Sequence, residues 1–221
     1  GSEMCIRDRL ICNFGAISDY EAMKTAGKRA HALGHPIVID PVGVSGSSYR
    51  REKCLELMKI IHPTCIRGNY SEIQALLHNC GTVTGVDAAE DALVEAEETD
   101  LPELMKQYAK ENQMILVASG EADLITDGSC VYRCHNGSPM MARITGSGCM
   151  STVMLGAFLS AENSVESAVA CCAFTGIAGE LAAKETTAQK RGTMTFRNWF
   201  IDAVSLMTPE QLEHGTNVDW F

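Results

Sequence analysis

Two rhythms of apolar residues alternate along this chain. Short unbroken runs, Leu10-Ile11-Cys12-Asn13-Phe14, Ile37-Val38-Ile39-Asp40, Cys65-Ile66 and Met114-Ile115-Leu116-Val117-Ala118, are separated by longer stretches in which apolar side chains recur every three or four positions. The first kind is the pattern of strands buried on both faces, and the second that of helices with one face on a core. The helical spacing predicts helices over 19–33, closed by Gly34, over 49–61, through Ile73, Leu76 and Leu77, and in a stretch reaching Asn112. Further on, Leu124-Ile125-Thr126 and Cys130-Val131-Tyr132-Arg133 flank Asp127-Gly128, a strong hairpin signal. After a Gly-rich turn, Met150, Val153, Met154, Ala157, Phe158 and Ala161 keep helical spacing. An Ala-rich helix is predicted over 164–185, with Gly176 and Gly179 suited to close packing, and a last one over 195–207. Strands alternating with helices predict an α/β domain whose sheet is mainly parallel and covered on both faces.

Some segments fall outside this rhythm. Residues 1–9 have neither period; Gly1-Ser2 resembles a cloning remnant, and the segment is expected to be non-native. Residues 82–88 are polar and contain glycine, and the acidic stretch 90–100 reads as a solvated helix face. No internal repeat or linker is visible, so residues 10–221 are expected to form a single domain. No stretch reads as apolar for long enough to span a membrane, and no secretory signal is visible.

Composition narrows the chemistry. The 221 residues are 46% hydrophobic and 21% charged, as in ordinary globular domains. A net charge of −10 argues against a general nucleic-acid or anionic-membrane surface. Any phosphate site must then be local. The 10 cysteines lack paired zinc spacing and lie singly apart from Cys171-Cys172, so reduced thiols in a cytoplasmic protein are the expected state.

The Gly-rich turn is Arg143-Ile144-Thr145-Gly146-Ser147-Gly148-Cys149-Met150. A turn of this kind opening onto a helix presents unpaired N–H groups and the positive end of the helix dipole to one point, which suits a phosphate or the charge in transit during its transfer. Cys149, at the mouth of that helix, is expected to favour the thiolate. The bland alternative is a tight loop with a small buried cysteine. Beyond the turn, Asp40, Arg67, Asn69, Glu72, Ser119 and Glu121 all fall just past apolar strand-like runs, where ligands of open α/β sheets gather. Asp40 and Glu72 could organise Mg²⁺ through waters, or merely cap the turn before Pro41 and the following helix. Arg67 offers a forked donor set for phosphate oxygens. Ser119-Gly120 could let a nucleotide approach the backbone closely.

Five ordered motifs carry a resemblance: Asp40-Pro41-Val42-Gly43, Ile66-Arg67-Gly68-Asn69 with Ser71-Glu72-Ile73, Gly85-Val86-Asp87, Ser119-Gly120-Glu121, and Ile144-Thr145-Gly146-Ser147-Gly148-Cys149. Together they resemble the hydroxyethylthiazole kinase family of thiamine salvage, from Leu10 to the C-terminus. The resemblance implies a ribokinase-like three-layer sandwich and phosphorylation of 4-methyl-5-(2-hydroxyethyl)thiazole by ATP with Mg²⁺. It implies that Arg67 and Ser119 contact ATP, Ser119 standing where the family usually has Thr, and that Gly146 lines the substrate site. It implies further that Gly146, Ser147, Gly148 and Cys149 form the anion hole, that Asp40 and Glu72 serve the metal, and that Cys149 sits where the acceptor hydroxyl loses its proton. A homotrimer with active sites between subunits is implied too. Family members carry a further strand and helix ahead of the point matching Leu10, so the chain is expected to be N-terminally truncated. A kinase for another small alcohol, such as hydroxymethylpyrimidine, and a nucleotide-binding module without catalysis are the alternatives.

Overall fold

The computed structural model describes residues 9–79 and 101–221. Residues 1–8, 82–88 with their Gly85-Val86-Asp87 motif, and 90–100 lie outside the described residues. Each apolar run forms a strand: β1 (Leu10–Asn13), β2 (Ile37–Asp40), β3 (Cys65–Asn69) and β4 (Ile115–Ser119). Hairpin partners β5 (Asp123–Thr126) and β6 (Val131–Cys134) follow. Helices α1 (Tyr20–Ala32), α2 (Ser48–Ile61), α3 (Tyr70–Asn79) and α4 (Leu101–Asn112) join the first four strands. The chain continues through α5 (Ser147–Ala161), α6 (Val165–Ala188) and α7 (Thr193–Leu206).

Two elements beyond the predicted last helix complete the described chain: α8 (Pro209–Gly215) and β7 (Val218–Trp220). Thr208 and Gln211 form a capping box at the start of α8, with Pro209 in its first turn. Strand β7 is three residues long and mostly exposed, too short for a period, and it is recruited by pairing with β6.

Strands β1 to β7 lie side by side in chain order in one sheet. Pairings from β1 to β4 are parallel, and those from β4 to β7 antiparallel. The sheet is therefore mixed: helical crossovers make the first half, and the Asp127-Gly128 hairpin turns the second. Alternate residues serve opposite faces, as strand geometry requires. Ile37, Ile39, Ile66, Leu116 and Ala118 join Leu57, Ile73, Leu76 and Met105 of α2, α3 and α4 in one core. Val38, Cys65, Ile115 and Val117 point the other way, against Leu155 and Leu159 of α5 and Ala168 and Cys171 of α6. Helices thus cover both faces. Phe196 and Phe200 of α7 make a third cluster with Ala178 and Ala182 of α6.

One expectation needs correcting. Val165–Ala188 is long and apolar enough, by length and composition, to cross a membrane. Most of this helix is buried within the domain, against α5, α7 and strands β4 to β6. Its apolar character follows from packing on several sides at once. Gly176 and Gly179 do pack closely, against Asn136 and Met141.

Candidate active site

Four parallel strands end side by side, and their last residues are Asn13, Asp40, Asn69 and Ser119. The register pairs Asn13 with Asp40 and Asn69 with Ser119. Helix α5 packs across β1 and β2 and brings its N-terminus to this edge. Gly146 precedes it with φ 92°, a left-handed conformation that glycine adopts without penalty. Among the described residues no side chain caps the helix, so its first-turn N–H groups find no side-chain acceptor there. Ser147 instead turns its hydroxyl back to the Met141 carbonyl at 3.0 Å, which ties the turn to the preceding loop.

Arg67 lies inside β3 rather than in the loop beyond it, and donates from Nη1 to the Gly148 carbonyl at 2.9 Å. That bond fastens the guanidinium beneath the first turn of α5. Beside it opens a cavity of ≈ 780 Å³, lined by Arg67, Ser119, Ser147 and Gly148 together with residues of the 136–139 loop and of α6. Both residues expected to touch ATP, and two of the expected anion-hole residues, therefore face one space. Ser119 donates its hydroxyl to the Gly68 carbonyl at 3.2 Å. Gly120 has a packing role as well as the one its sequence suggests. A Cβ there would lie 2.6 Å from the Tyr70 ring, so one side of this glycine is packed by an aromatic side chain, while Gly120 also lines the cavity beside Ser119.

On the other side of the α5 N-terminus a polar cluster surrounds Asp40, which is only 3% exposed. Its Oδ2 accepts from Asn13 Nδ2 and from Thr152 Oγ1, each at 2.9 Å. Asn13 Nδ2 also lies 3.1 Å from Cys149 Sγ. Burial pushes the Asp40 carboxyl above the usual carboxylate range; the Thr152 hydrogen bond and Arg67 pull it back, and Glu72 adds to the rise. Cys149 departs from expectation. Burial, reinforced by the Asp40 charge, raises its thiol above the ordinary value despite the hydrogen bond from Asn13 and the nearby Arg67. A helix N-terminus favours the thiolate, but partial burial beside a carboxylate opposes it here.

Glu72 stands in the first turn of α3 and accepts from the N–H of Gly43 at 2.9 Å and of Asn69 at 3.0 Å. It braces the loop after β2 against the end of β3. Asn69 caps α3 by accepting from the Glu72 N–H at 2.8 Å. Among the described residues no group of three or more His, Cys, Asp or Glu is gathered as a closed metal site. Asp40 and Glu72 are the carboxylates that could hold Mg²⁺, which is commonly bound by one or two carboxylates with waters and phosphate oxygens. The upward push of Glu72 on Asp40 is the repulsion that a cation would relieve.

Sequence reasoning missed Asn13, Thr152 and Asp123. Asn13 sits in an apolar run and Thr152 in an apolar helix, and only the tertiary register reveals either. Asp123 reads as a turn residue. It accepts from the Gly120 N–H at 3.2 Å and lines the cavity beside Arg67.

This arrangement joins an uncapped helix N-terminus, a cavity, and a buried acid beside a half-buried cysteine. The sequence profile of the Hydroxyethylthiazole kinase family matches residues 3–210. The chain belongs to this family. It is 37% identical to the hydroxyethylthiazole kinase of Desulforudis audaxviator (strain MP104C) over 213 residues, 95% of this chain and 74% of that protein. The structure of the hydroxyethylthiazole kinase from Pyrococcus horikoshii OT3 superposes with a TM-score of 0.76 at 25% identity, covering 91% of this chain and 72% of that one. The pyridoxal kinase of Staphylococcus aureus shares the fold at a TM-score of 0.52 and 22% identity, over 78% of this chain and 61% of its own. The hydroxyethylthiazole kinase family is thus built here on a ribokinase-like α/β sandwich, and its activity is that of a phosphotransferase.

Proposed function

We propose that this protein transfers the terminal phosphoryl group of ATP to the primary hydroxyl of 4-methyl-5-(2-hydroxyethyl)thiazole, as a cytoplasmic homotrimer in thiamine salvage. The observation that carries this reading is the uncapped N-terminus of α5, set between the Arg67–Ser119 cavity and the Asp40–Cys149 cluster. In this reading the cavity takes ATP, with Arg67 and Ser119 as its contacts, and Gly146 lines the thiazole side. N–H groups of Gly146, Ser147, Gly148 and Cys149 stabilise the charge on the phosphoryl group in flight. Asp40 and Glu72 would hold Mg²⁺, which neutralises phosphate charge when bound.

Cys149 is the group nearest the expected position of the acceptor hydroxyl. Its raised thiol makes it a poor base in the resting protein. Phosphoryl transfer tolerates this, because its transition state is loose and the hydroxyl proton is lost late. At that stage the proton can pass to the sulfur, whose own proton has the Asp40 carboxylate as a neighbouring acceptor.

The test is a transfer assay with ATP and Mg²⁺ over the thiazole alcohol and hydroxymethylpyrimidine. Phosphorylation of the thiazole alcohol is expected. Preference for the pyrimidine alcohol would replace the substrate, and ATP binding without transfer to either alcohol would leave a non-catalytic nucleotide-binding module. Sedimentation is expected to give three times the chain mass of 23.9 kDa.

A further inference from the structure

We propose that Asn13 is a positioning residue for phosphoryl transfer, holding the Cys149 sulfur in one orientation against Asp40 through a single amide group. The inference rests on the kinase reading of this site and adds to it a residue from a different strand.

Asn13 ends β1, directly beside Asp40 at the end of β2 in the parallel register. Its Nδ2 is 2.9 Å from Asp40 Oδ2 and 3.1 Å from Cys149 Sγ. An amide nitrogen carries two hydrogens, so both contacts form together. The orientation of the amide is settled from its other end. The Gly15 N–H donates to Asn13 Oδ1 at 2.8 Å, and a flipped amide would set two donors against each other. Gly15 also supplies the room, since a Cβ there would stand 2.7 Å from the same Oδ1. Strand end, turn and amide thus form one unit aimed at a sulfur 136 positions further along the chain.

The consequence is directional. A cysteine side chain left alone samples staggered rotamers about its single χ angle. Here the sulfur is tied by a donor, so one lone pair is occupied and the remaining surface faces one way. An acceptor hydroxyl then meets a group in a fixed place, which is the condition under which proximity accelerates a reaction. Thr152 holds the far partner, donating to the same Asp40 oxygen at 2.9 Å. Asp40 is thereby clamped from both sides, and Asn13 alone of the two clamps also reaches the sulfur.

The experiment compares the unaltered chain with Asn13→Ala, Asn13→Asp and Gly15→Ala, by steady-state kinetics, thermal melting and a crystal structure of each. Displacement of the sulfur from its rotamer is expected in both Asn13 variants. With it, kcat toward the thiazole alcohol should fall by about 10- to 100-fold, the range for a misplaced group, while KM for ATP is unchanged. Gly15→Ala, which removes no side chain, should push the amide and lower kcat in the same direction. A residue that only supports the fold would lower the melting temperature and leave kcat per folded molecule intact. Should Asn13→Ala fail to fold, the isosteric Asn13→Asp, which keeps the acceptor for Gly15, decides. A sulfur that stays in place in the Asn13 variants overturns the proposal whatever the kinetics, and so does a displaced sulfur with undiminished kcat. Should the unaltered chain phosphorylate no thiazole alcohol, the kinase reading fails, and the position of the sulfur still decides whether Asn13 holds it.

Discussion

Cys149 is pulled in two directions, by a helix end that favours its anion and by burial beside Asp40 that opposes it. The balance shifts the group toward its thiol form. Replacing it by a permanent anion is then informative. We expect Cys149→Asp to fold and to transfer phosphoryl at least as fast as the unaltered chain, because a carboxylate at the helix N-terminus needs no proton loss before it can act as base. A folded but inactive variant would remove Cys149 from the base position; an unfolded one would mark it as a packing residue. Arg67→Ala should weaken ATP binding, measured by calorimetry, by about 1.5–3 kcal/mol, the range for hydrogen bonds to charged groups. Unchanged affinity would reject the phosphate contact. For the metal, Asp40→Asn and Glu72→Gln should each raise the Mg²⁺ concentration needed for half-maximal turnover. If both keep the original dependence, they are braces for the strand ends, as the two N–H bonds to Glu72 already make it in part.

At the scale of elements, two glycines of one turn do different work. Gly146 has φ 92°, and a Cβ there would meet nothing within 4 Å. Its requirement is conformational, so Gly146→Ala should strain the backbone by about 1–3 kcal/mol and lower both the melting temperature and kcat. Gly148 lies within the helix, and a Cβ there would come 3.0 Å from Arg67 Nη1. Gly148→Ala should leave the melting temperature nearly unchanged and raise KM for ATP by displacing the guanidinium. Equal effects of the two substitutions on both readouts would refute this division.

The strands that carry the site were plain in the sequence because parallel strands are buried on both faces. Ile37–Asp40 is buried at all four positions and reads as an unbroken apolar run. Its terminal Asp then stands out. Asn13 could not be recognised by the same logic, since one amide at the end of an apolar run is indistinguishable from a turn former until β1 is set beside β2. Thr152 is hidden for the same reason, in a helix whose neighbours are nearly all apolar. The thiolate expectation for Cys149 failed because position in a helix is written locally, whereas the Asp40 charge arrives from a residue more than a hundred positions away.

For the molecule as a whole, Asp123 links stability to pH. Burial raises its carboxyl above the usual carboxylate range, with Arg67 and the Gly120 N–H acting against the shift. An acid whose folded pKa exceeds its unfolded value of about 3.9 binds its proton more tightly in the folded chain. Stability is therefore lost as pH rises from the unfolded value through the folded one. Asp123→Asn, which keeps an acceptor for Gly120, should melt at a higher temperature than the unaltered chain at neutral pH. The difference should vanish in acid below both values. If the cavity takes ATP as proposed, the variant should also bind ATP more tightly, because a negative charge leaves its lining. A melting difference that grows on acidification would contradict the assignment.

Strand order and chain order coincide in this sheet, and that governs how the protein meets the ribosome. Among the described strands, each one after β1 finds its neighbour already made as it leaves the exit tunnel, so none of these pairings has to be opened to admit a latecomer. The second face is less fortunate. Val38, Cys65, Ile115 and Val117 wait for α5 and α6, and the last of α6 is Ala188, some 70 residues after Val117. At translation speeds of about 5–20 residues per second that is an interval of roughly 4–14 seconds. During it a nascent chain presents a bare apolar sheet to whatever is nearby. Ribosome-stalled chains ending before Ser147 should recruit a hydrophobic-surface chaperone strongly, and chains stalled well beyond Ala188 should have released it; equal recruitment at both lengths would show that the face finds cover earlier.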